Sequence, residues 1–204
     1  KAILAVEKNL PNLKKVVEKI YSHLKTYPNG RLIYCGAGTS GRIGVQDGVE
    51  LYPTFGWPKN RIGFIIPGGK KALTESVENA EDDSKLALEE ANKILFTNSD
   101  VLICIAASGN TPFSLKVLEI AKERGSLTLA LSNNPKGKIQ KLANMKILLN
   151  TEEEVIAGST RLKAGTSQKV CLNLISSLIM TKLGNVKNGL MINLVPTNKK
   201  LKKR

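Results

Sequence analysis

The stretch Gly36-Ala37-Gly38-Thr39-Ser40-Gly41 sets two hydroxyl side chains inside a glycine-rich turn that follows the apolar run 31–35. A chain that bends into a helix at such a turn leaves its first N–H groups without helical partners. The helix dipole adds positive potential at the same place, so the turn suits an anion such as phosphate. Gly36, Gly38 and Gly41 also satisfy the dinucleotide pattern G-x-G-x-x-G. That pattern requires an acidic residue after the next strand to hold a ribose, whereas the run 62–66 leads into Pro67-Gly68-Gly69. The plain alternative to a phosphate loop is a helix capped by Thr39 or Ser40 with no ligand at all.

A second turn of the same kind strengthens the phosphate reading. Ala107-Ser108-Gly109-Asn110-Thr111-Pro112 follows the apolar run 101–106, with Thr111 at a cap position and Pro112 at the first helical position. Turns that leave parallel strands emerge at one edge of the sheet, where Ser40, Ser108 and Thr111 could surround one phosphate. A third candidate is Ser159-Thr160-Arg161-Leu162-Lys163, which opens the last long helical pattern. A hydroxyl cap with two cations there suits a carboxylate or phosphate, or is a capped helix with solvated cations.

Acid–base chemistry beside such a site would need carboxylates. Glu50 follows the helix after the first turn and precedes Pro53. A helix carboxyl end disfavours negative charge, and burial would hold the proton further, as a proton donor at neutral pH requires. Glu75, Glu78, Glu81, Asp82 and Asp83 form an acidic run that reads as a solvated helix face, and periodicity singles out none of them.

The elements that must position these groups alternate. Leu13, Val16, Val17, Ile20 and Leu24 predict an amphipathic helix over 12–24, ended by Pro28-Asn29-Gly30. Strands are expected at 31–35, 62–66, 101–106, 127–131 and 146–149, with helical patterns over 71–94, 112–124 and 136–142. A last helix should run over 162–183 and stop at Gly184. This order predicts an α/β fold, a three-layer αβα sandwich around a mostly parallel five-stranded sheet, as one domain over 1–204 with an N-terminal helix.

Composition narrows the function. With 42% hydrophobic and 24% charged residues the chain is that of an ordinary globular protein. The formal charge of +14 is concentrated in part in Lys199, Lys200, Lys202, Lys203 and Arg204 and otherwise scattered, and aromatic residues are only 4%. Nucleic acid is therefore not expected as a partner, because no stacking platform or basic helix face accompanies the charge. No stretch approaches the roughly 18 apolar residues of a membrane span, and residues 1–10 lack the pattern of a signal peptide. Cys35, Cys104 and Cys171 each lie in apolar runs, which suits buried reduced thiols in a cytoplasmic protein. With His23 as the sole histidine, neither a metal nor a cofactor is expected.

Gly36-Ala37-Gly38-Thr39-Ser40-Gly41-Arg42 and Ala106-Ala107-Ser108-Gly109 resemble the two phosphate loops of sugar isomerase (SIS) domains. Val77-Glu78-Asn79-Ala80-Glu81-Asp82, Gly158-Ser159-Thr160-Arg161-Leu162-Lys163-Ala164-Gly165-Thr166 and Gly189-Leu190-Met191 resemble signatures of the N-acetylmuramic acid 6-phosphate etherases. The resemblance covers nearly the whole chain. It implies cleavage of the D-lactyl ether of a sugar 6-phosphate by elimination and then hydration, in the recycling of cell-wall sugars. It also implies Glu50 as proton donor and Glu81 as a second acid/base. Gly38, Thr39, Ser40, Ser108, Gly109, Thr111, Ser159, Thr160 and Lys163 would be substrate-binding residues.

Homodimers are expected by analogy with other domains of this type. Family members begin earlier than the position of Lys1 and continue beyond that of Arg204 into a helical region expected to be lacking here. The chain departs from the family pattern at Gln46, Gly48, Leu51-Tyr52, Asn79 and Asn110, the last standing where the family has an arginine. A non-catalytic sugar-phosphate sensor and a sugar-phosphate isomerase are the rival readings. A sensor would have no need of two carboxylates near the phosphate loops.

Overall fold

In the computed structural model, residues 1–77 and 79–195 are described. Glu78 of the acidic run and the basic tail at 199–204 lie outside them. The chain opens with α1 (Ala2–Glu7) and α2 (Leu10–Thr26), and Leu13, Val16, Val17, Ile20 and Leu24 are the residues that α2 buries. Five strands follow: β1 (Leu32–Gly36), β2 (Ile62–Ile65), β3 (Val101–Ile105), β4 (Leu127–Ser132) and β5 (Met145–Leu148). They form one parallel sheet in the order β2-β1-β3-β4-β5, so the chain reverses its winding direction between β1 and β3. A crevice opens at such a point beyond the carboxyl ends of the strands.

Side-chain alternation along the strands divides the core in two. Leu32, Tyr34, Val101, Ile103, Leu129 and Ile147 face one side, where α2 and α8 (Lys163–Lys182) pack. Ile33, Cys35, Leu102, Cys104 and Ala130 face the other, under α5 (Ser84–Ile94) and α6 (Pro112–Glu123). Both faces are covered, and the strands accordingly read as apolar runs. The helix α3 (Gly38–Val49) leaves β1 and lies against it, with Gly44 and Gly48 at the contact. An added Cβ at Gly48 would stand 2.5 Å from the Phe64 ring and 3.0 Å from that of Tyr34, so α3 can lie this close only with glycine there. The short helices α4 (Leu51–Phe55) and α7 (Ile139–Leu142) and the hairpin of β6 (Val186–Lys187) and β7 (Leu190–Met191) complete the set.

The expected helix over 71–94 is the main correction. Helical structure there is confined to a 3-10 turn at Gly69–Leu73, another at Ala80–Asp82, and α5. Asn79 adopts a left-handed φ of 60°, and Asp83 caps α5 by accepting from the N–H groups of Lys85 and Leu86 at 2.8 and 2.9 Å. The two residues interrupt the helix, and Glu81 stands on an irregular segment packed against α6. The pattern at 136–142 likewise forms helix only from Ile139.

Candidate functional site

The turn after β1 has Ala37 as N-cap, with no side-chain hydrogen bond to the helix end. Capping by Thr39 or Ser40, the ligand-free alternative, is therefore not what this turn does. Gly38 sits at φ +52°, a left-handed conformation that glycine adopts without strain. A Cβ at Gly41 would stand 2.4 Å from the Gly36 carbonyl oxygen, so the turn is tight enough to exclude side chains. Gly41 N–H donates to Ala37 O, and the N–H groups ahead of it in the first turn of α3 are the ones left to meet an anion.

The turn after β3 is built alike. Gly109 is left-handed at φ +66° and touches Gly137, where a Cβ would come within 2.6 Å. Thr111 is the N-cap of α6 and makes no side-chain capping bond. Ser108 Oγ accepts from Asn110 N–H at 3.2 Å, which leaves its own proton to donate. Asn110 also accepts from Lys138 N–H at 3.1 Å, tying the turn to the chain before α7. The two turns meet as expected: a cavity of about 230 Å3 is lined by Gly38, Thr39, Ser40, Ser108, Thr111 and Thr160, with Glu81 on its wall. Gly38 and Glu81 also line an adjoining cavity of about 390 Å3, together with Arg42, Ser76, Asn79 and Asp82.

Not every expected residue arrives. Ser40 lines the smaller cavity but is 7% exposed, and its hydroxyl donates to Gln168 Oε1 at 2.9 Å, so its main-chain N–H is the donor left for a ligand. Gly109 shapes its turn without lining either cavity. Ser159 lines neither cavity. Lys163 turns its ammonium to the carbonyl oxygen of Glu153. The amino end of α8, expected to hold a ligand anion, is occupied from within. The Glu154 carboxylate accepts from Lys163 N–H at 3.0 Å and from Ala164 N–H at 2.8 Å, and neither Ser159 nor Thr160 caps the helix.

Glu50 is the largest departure from expectation. It is the C-cap of α3, the end remote from the anion turn, and the twelve-residue helix spans about 18 Å. It is exposed and lines neither cavity. The burial expected to favour its protonated form is not supplied within one chain.

Sequence reasoning gave no role to Asp47, although it is buried and lies one turn before Glu50. Its carboxylate accepts from Tyr34 Oη at 2.9 Å, Asn173 Nδ2 at 2.8 Å and Ser176 Oγ at 3.0 Å. Burial, then the charge of Asp47, then this hydrogen bond raise the Tyr34 phenol well above its ordinary value. The network fastens α3 to α8 and to β1. Arg42 was visible within the first loop motif but was assigned nothing. It donates from Nε to Ala72 O and from one Nη to Glu75 O, each at 2.8 Å, and so holds the segment that leads to Glu81.

Known proteins resemble this chain in sequence and in fold. Residues 15–122 match the model of the glucokinase regulatory protein N-terminal SIS domain, and residues 74–177 match the SIS domain. The N-acetylmuramic acid 6-phosphate etherase of Mycoplasma mycoides subsp. mycoides SC is 45% identical over all 204 residues, which cover 67% of that relative. The N-acetylmuramic acid 6-phosphate etherase 1 of Enterococcus faecalis is 43% identical over the same span and covered to the same 67%. Among solved structures, a phosphoheptose isomerase from Francisella tularensis aligns with a TM-score of 0.64 at 18% identity, over 88% of this chain and 90% of that one. The Vibrio vulnificus NanR protein complexed with ManNAc-6P aligns with a TM-score of 0.55 at 16% identity, over 89% of this chain and 60% of that one. At these identities the structures speak for the fold alone.

Proposed function

The chain belongs to the N-acetylmuramic acid 6-phosphate etherase family, and from that premise we propose that it cleaves the D-lactyl ether of N-acetylmuramic acid 6-phosphate to N-acetylglucosamine 6-phosphate and D-lactate. The observation that carries the reading is the position of Glu81 on the wall common to the anion cavity and its neighbour. A carboxylate beside a phosphate cradle repels the bound anion, so a protein that only held the sugar phosphate would gain nothing from one there.

The 6-phosphate lies in the smaller cavity, held by first-turn N–H groups of α3 and by the hydroxyls of Thr39, Ser108, Thr111 and Thr160. In the open-chain sugar a base removes the proton at C2, which the C1 aldehyde acidifies. The C3–O bond breaks, an acid gives the departing lactate oxygen its proton, and water then adds across C2 and C3. Each assisted proton transfer contributes about 100-fold to 10,000-fold. Glu81 is the acid/base within the chain. Glu50 supplies the proton from a second copy, because α3 carries it away from the cavity of its own chain. Val45 and Val49, on the helix that Glu50 ends, line with Leu73 an apolar groove on which that copy would sit. No described helix is long and apolar enough to cross a membrane, in keeping with a cytoplasmic enzyme.

D-lactate release from N-acetylmuramic acid 6-phosphate by the purified chain tests this, with Glu81→Gln beside it. Release that the variant loses by at least about 100-fold is expected. Mixing the inactive Glu50→Gln and Glu81→Gln proteins should restore part of the activity through hybrid dimers. Saturable sugar-phosphate binding without release would point instead to the regulator reading, which the match of residues 15–122 to a regulatory-protein domain favours.

A further inference from the structure

The substrate of the proposed reaction carries two anions, a phosphate at C6 and a carboxylate on the lactyl group at C3. The cradle for the first is lined by hydroxyls and N–H groups and, among the described residues, by no cation. We propose that Arg42, in the adjoining cavity, receives the lactyl carboxylate and thereby distinguishes substrate from product. This rests on the etherase reading of the same site.

Three observations point to Arg42. Among the described residues it is the only cation lining either cavity, and it stands there with Glu81 and Asp82, which would repel a second anion if nothing offset them. Its guanidinium is held in advance by the carbonyl oxygens of Ala72 and Glu75, which occupy two of its five N–H donors. A fixed planar fork matches a carboxylate and loses little freedom on binding it. Arg42 also lies one turn along α3 from Gly38, about 6 Å along the axis. A hexose chain substituted at C3 and C6 can bridge that span.

The other candidate seats are occupied or misplaced. The amino end of α8 is filled by the Glu154 carboxylate, and the Lys163 ammonium is spent on Glu153 O. Arg161 and Lys71 line neither cavity, and Lys70 belongs to the apolar groove. Product N-acetylglucosamine 6-phosphate has no carboxylate, so Arg42 would hold the substrate and have no anion of the product to grip. Release of the sugar after lactate has left would follow from that difference.

The test compares dissociation constants of N-acetylmuramic acid 6-phosphate and N-acetylglucosamine 6-phosphate by calorimetry, on the full chain carrying Glu81→Gln to prevent turnover, with and without Arg42→Gln. Loss of the charged contact should weaken the lactyl sugar by about 10-fold or more. The affinity for N-acetylglucosamine 6-phosphate should change by less than about two-fold, which also shows that the variant is folded. Equal loss for both ligands would mean that Arg42 only latches the segment 72–75, and no loss for either would remove it from the site. If Arg42→Gln does not melt cooperatively, Arg42→Lys takes its place, with the same selective loss expected at smaller size. Selective loss here, with no D-lactate release by the chain in which Glu81 is intact, would sink the etherase reading while leaving Arg42 as the seat of the lactyl carboxylate in a binding protein.

Discussion

Ser40 and Gln168 face each other across 2.9 Å between α3 and α8, and the hydroxyl is the donor. The direction follows from a chain of partners. Asn133 Nδ2 donates at 2.8 Å to Leu149 O, which can only accept, so Asn133 Oδ1 must be the atom that receives Gln168 Nε2 at 2.8 Å. Gln168 Oε1 is then left toward Ser40. A phosphate needs donors, and the Ser40 hydroxyl has already given its proton away.

Ser40→Ala should therefore act mainly on stability. It leaves the buried Gln168 oxygen without its donor, a loss of about 1–3 kcal/mol, read as a lower urea midpoint. Sugar-phosphate affinity should change little. Ser108→Ala should do the opposite, weakening a sugar 6-phosphate several-fold with the midpoint nearly unchanged, because its proton is the one free to donate. Equal losses of affinity in the two variants would show that Ser40 rearranges to meet the ligand.

Glu154 acts on the site through the loop it closes. Its carboxylate accepts from two successive N–H groups at the start of α8, and Thr160, in the loop so closed, lines the phosphate cavity. Glu154→Ala removes a helix cap, which costs about 0.5–2 kcal/mol, and frees the loop. The expected kinetic effect is a raised KM for the sugar phosphate with a smaller change in kcat. Glu154→Gln, which keeps an acceptor oxygen but loses the charge, should fall between. A variant that loses kcat alone would place Glu154 in the chemistry.

Much of this architecture was legible in the chain because periodicity reports burial directly. The five apolar residues expected to seat the first long helix are the five that α2 buries, and the strands fall within a residue or so of the apolar runs. The acidic run was not legible as an irregular segment, since Glu and Lys spacing alone favours helix and the break comes from Asn79 and the Asp83 cap. Glu154 was invisible for another reason. A side chain that caps a helix nine residues beyond it in sequence leaves no local spacing signal, whereas Ser159 and Thr160 supplied a false one. Arg42 was in plain view, but its carbonyl partners at Ala72 and Glu75 exist only after folding.

Asp100 ties β3 to the start of β1 and gives the fold an acid limit. Burial works to raise its proton affinity, but the Arg31 guanidinium at 2.6 and 2.8 Å and the N–H groups of Thr97 and Arg31 outweigh it. The carboxyl lies below its ordinary 3.8. A depressed folded value means that this contribution is complete above about pH 4 and is lost as pH falls through the lower folded value. Asp100→Asn should lower stability at neutral pH by about 1–3 kcal/mol, since the Arg31 guanidinium left behind is partly exposed and keeps the carbonyl oxygens of Ile94 and Leu95, and should flatten the acid side of the urea-midpoint profile. An unchanged acid limb would assign acid unfolding to other carboxylates.

The thiols set the alkaline limit by the reverse reasoning. Cys35, Cys104 and Cys171 are all buried and none is in a disulfide. Burial, reinforced by neighbouring Cys104, raises Cys35 well above its ordinary 9.0. Burial first, then the charge of Asp47, pushes Cys171 up to about 12. A thiol with a raised folded value binds its proton more tightly when folded, so the stability it lends is whole below pH 9 and declines toward pH 12 for Cys171. Two results should follow. At pH 8 a disulfide reagent should modify none of the three cysteines in the folded protein and all three in denaturant, because burial keeps the reagent from all three sulfurs. Cys171→Ala should lower stability at neutral pH through the cavity it opens, yet lessen the decline between pH 9 and 11. Rapid labelling of any thiol in the folded protein would mean that the packing of α8 on the sheet opens locally, and the rate would report how often.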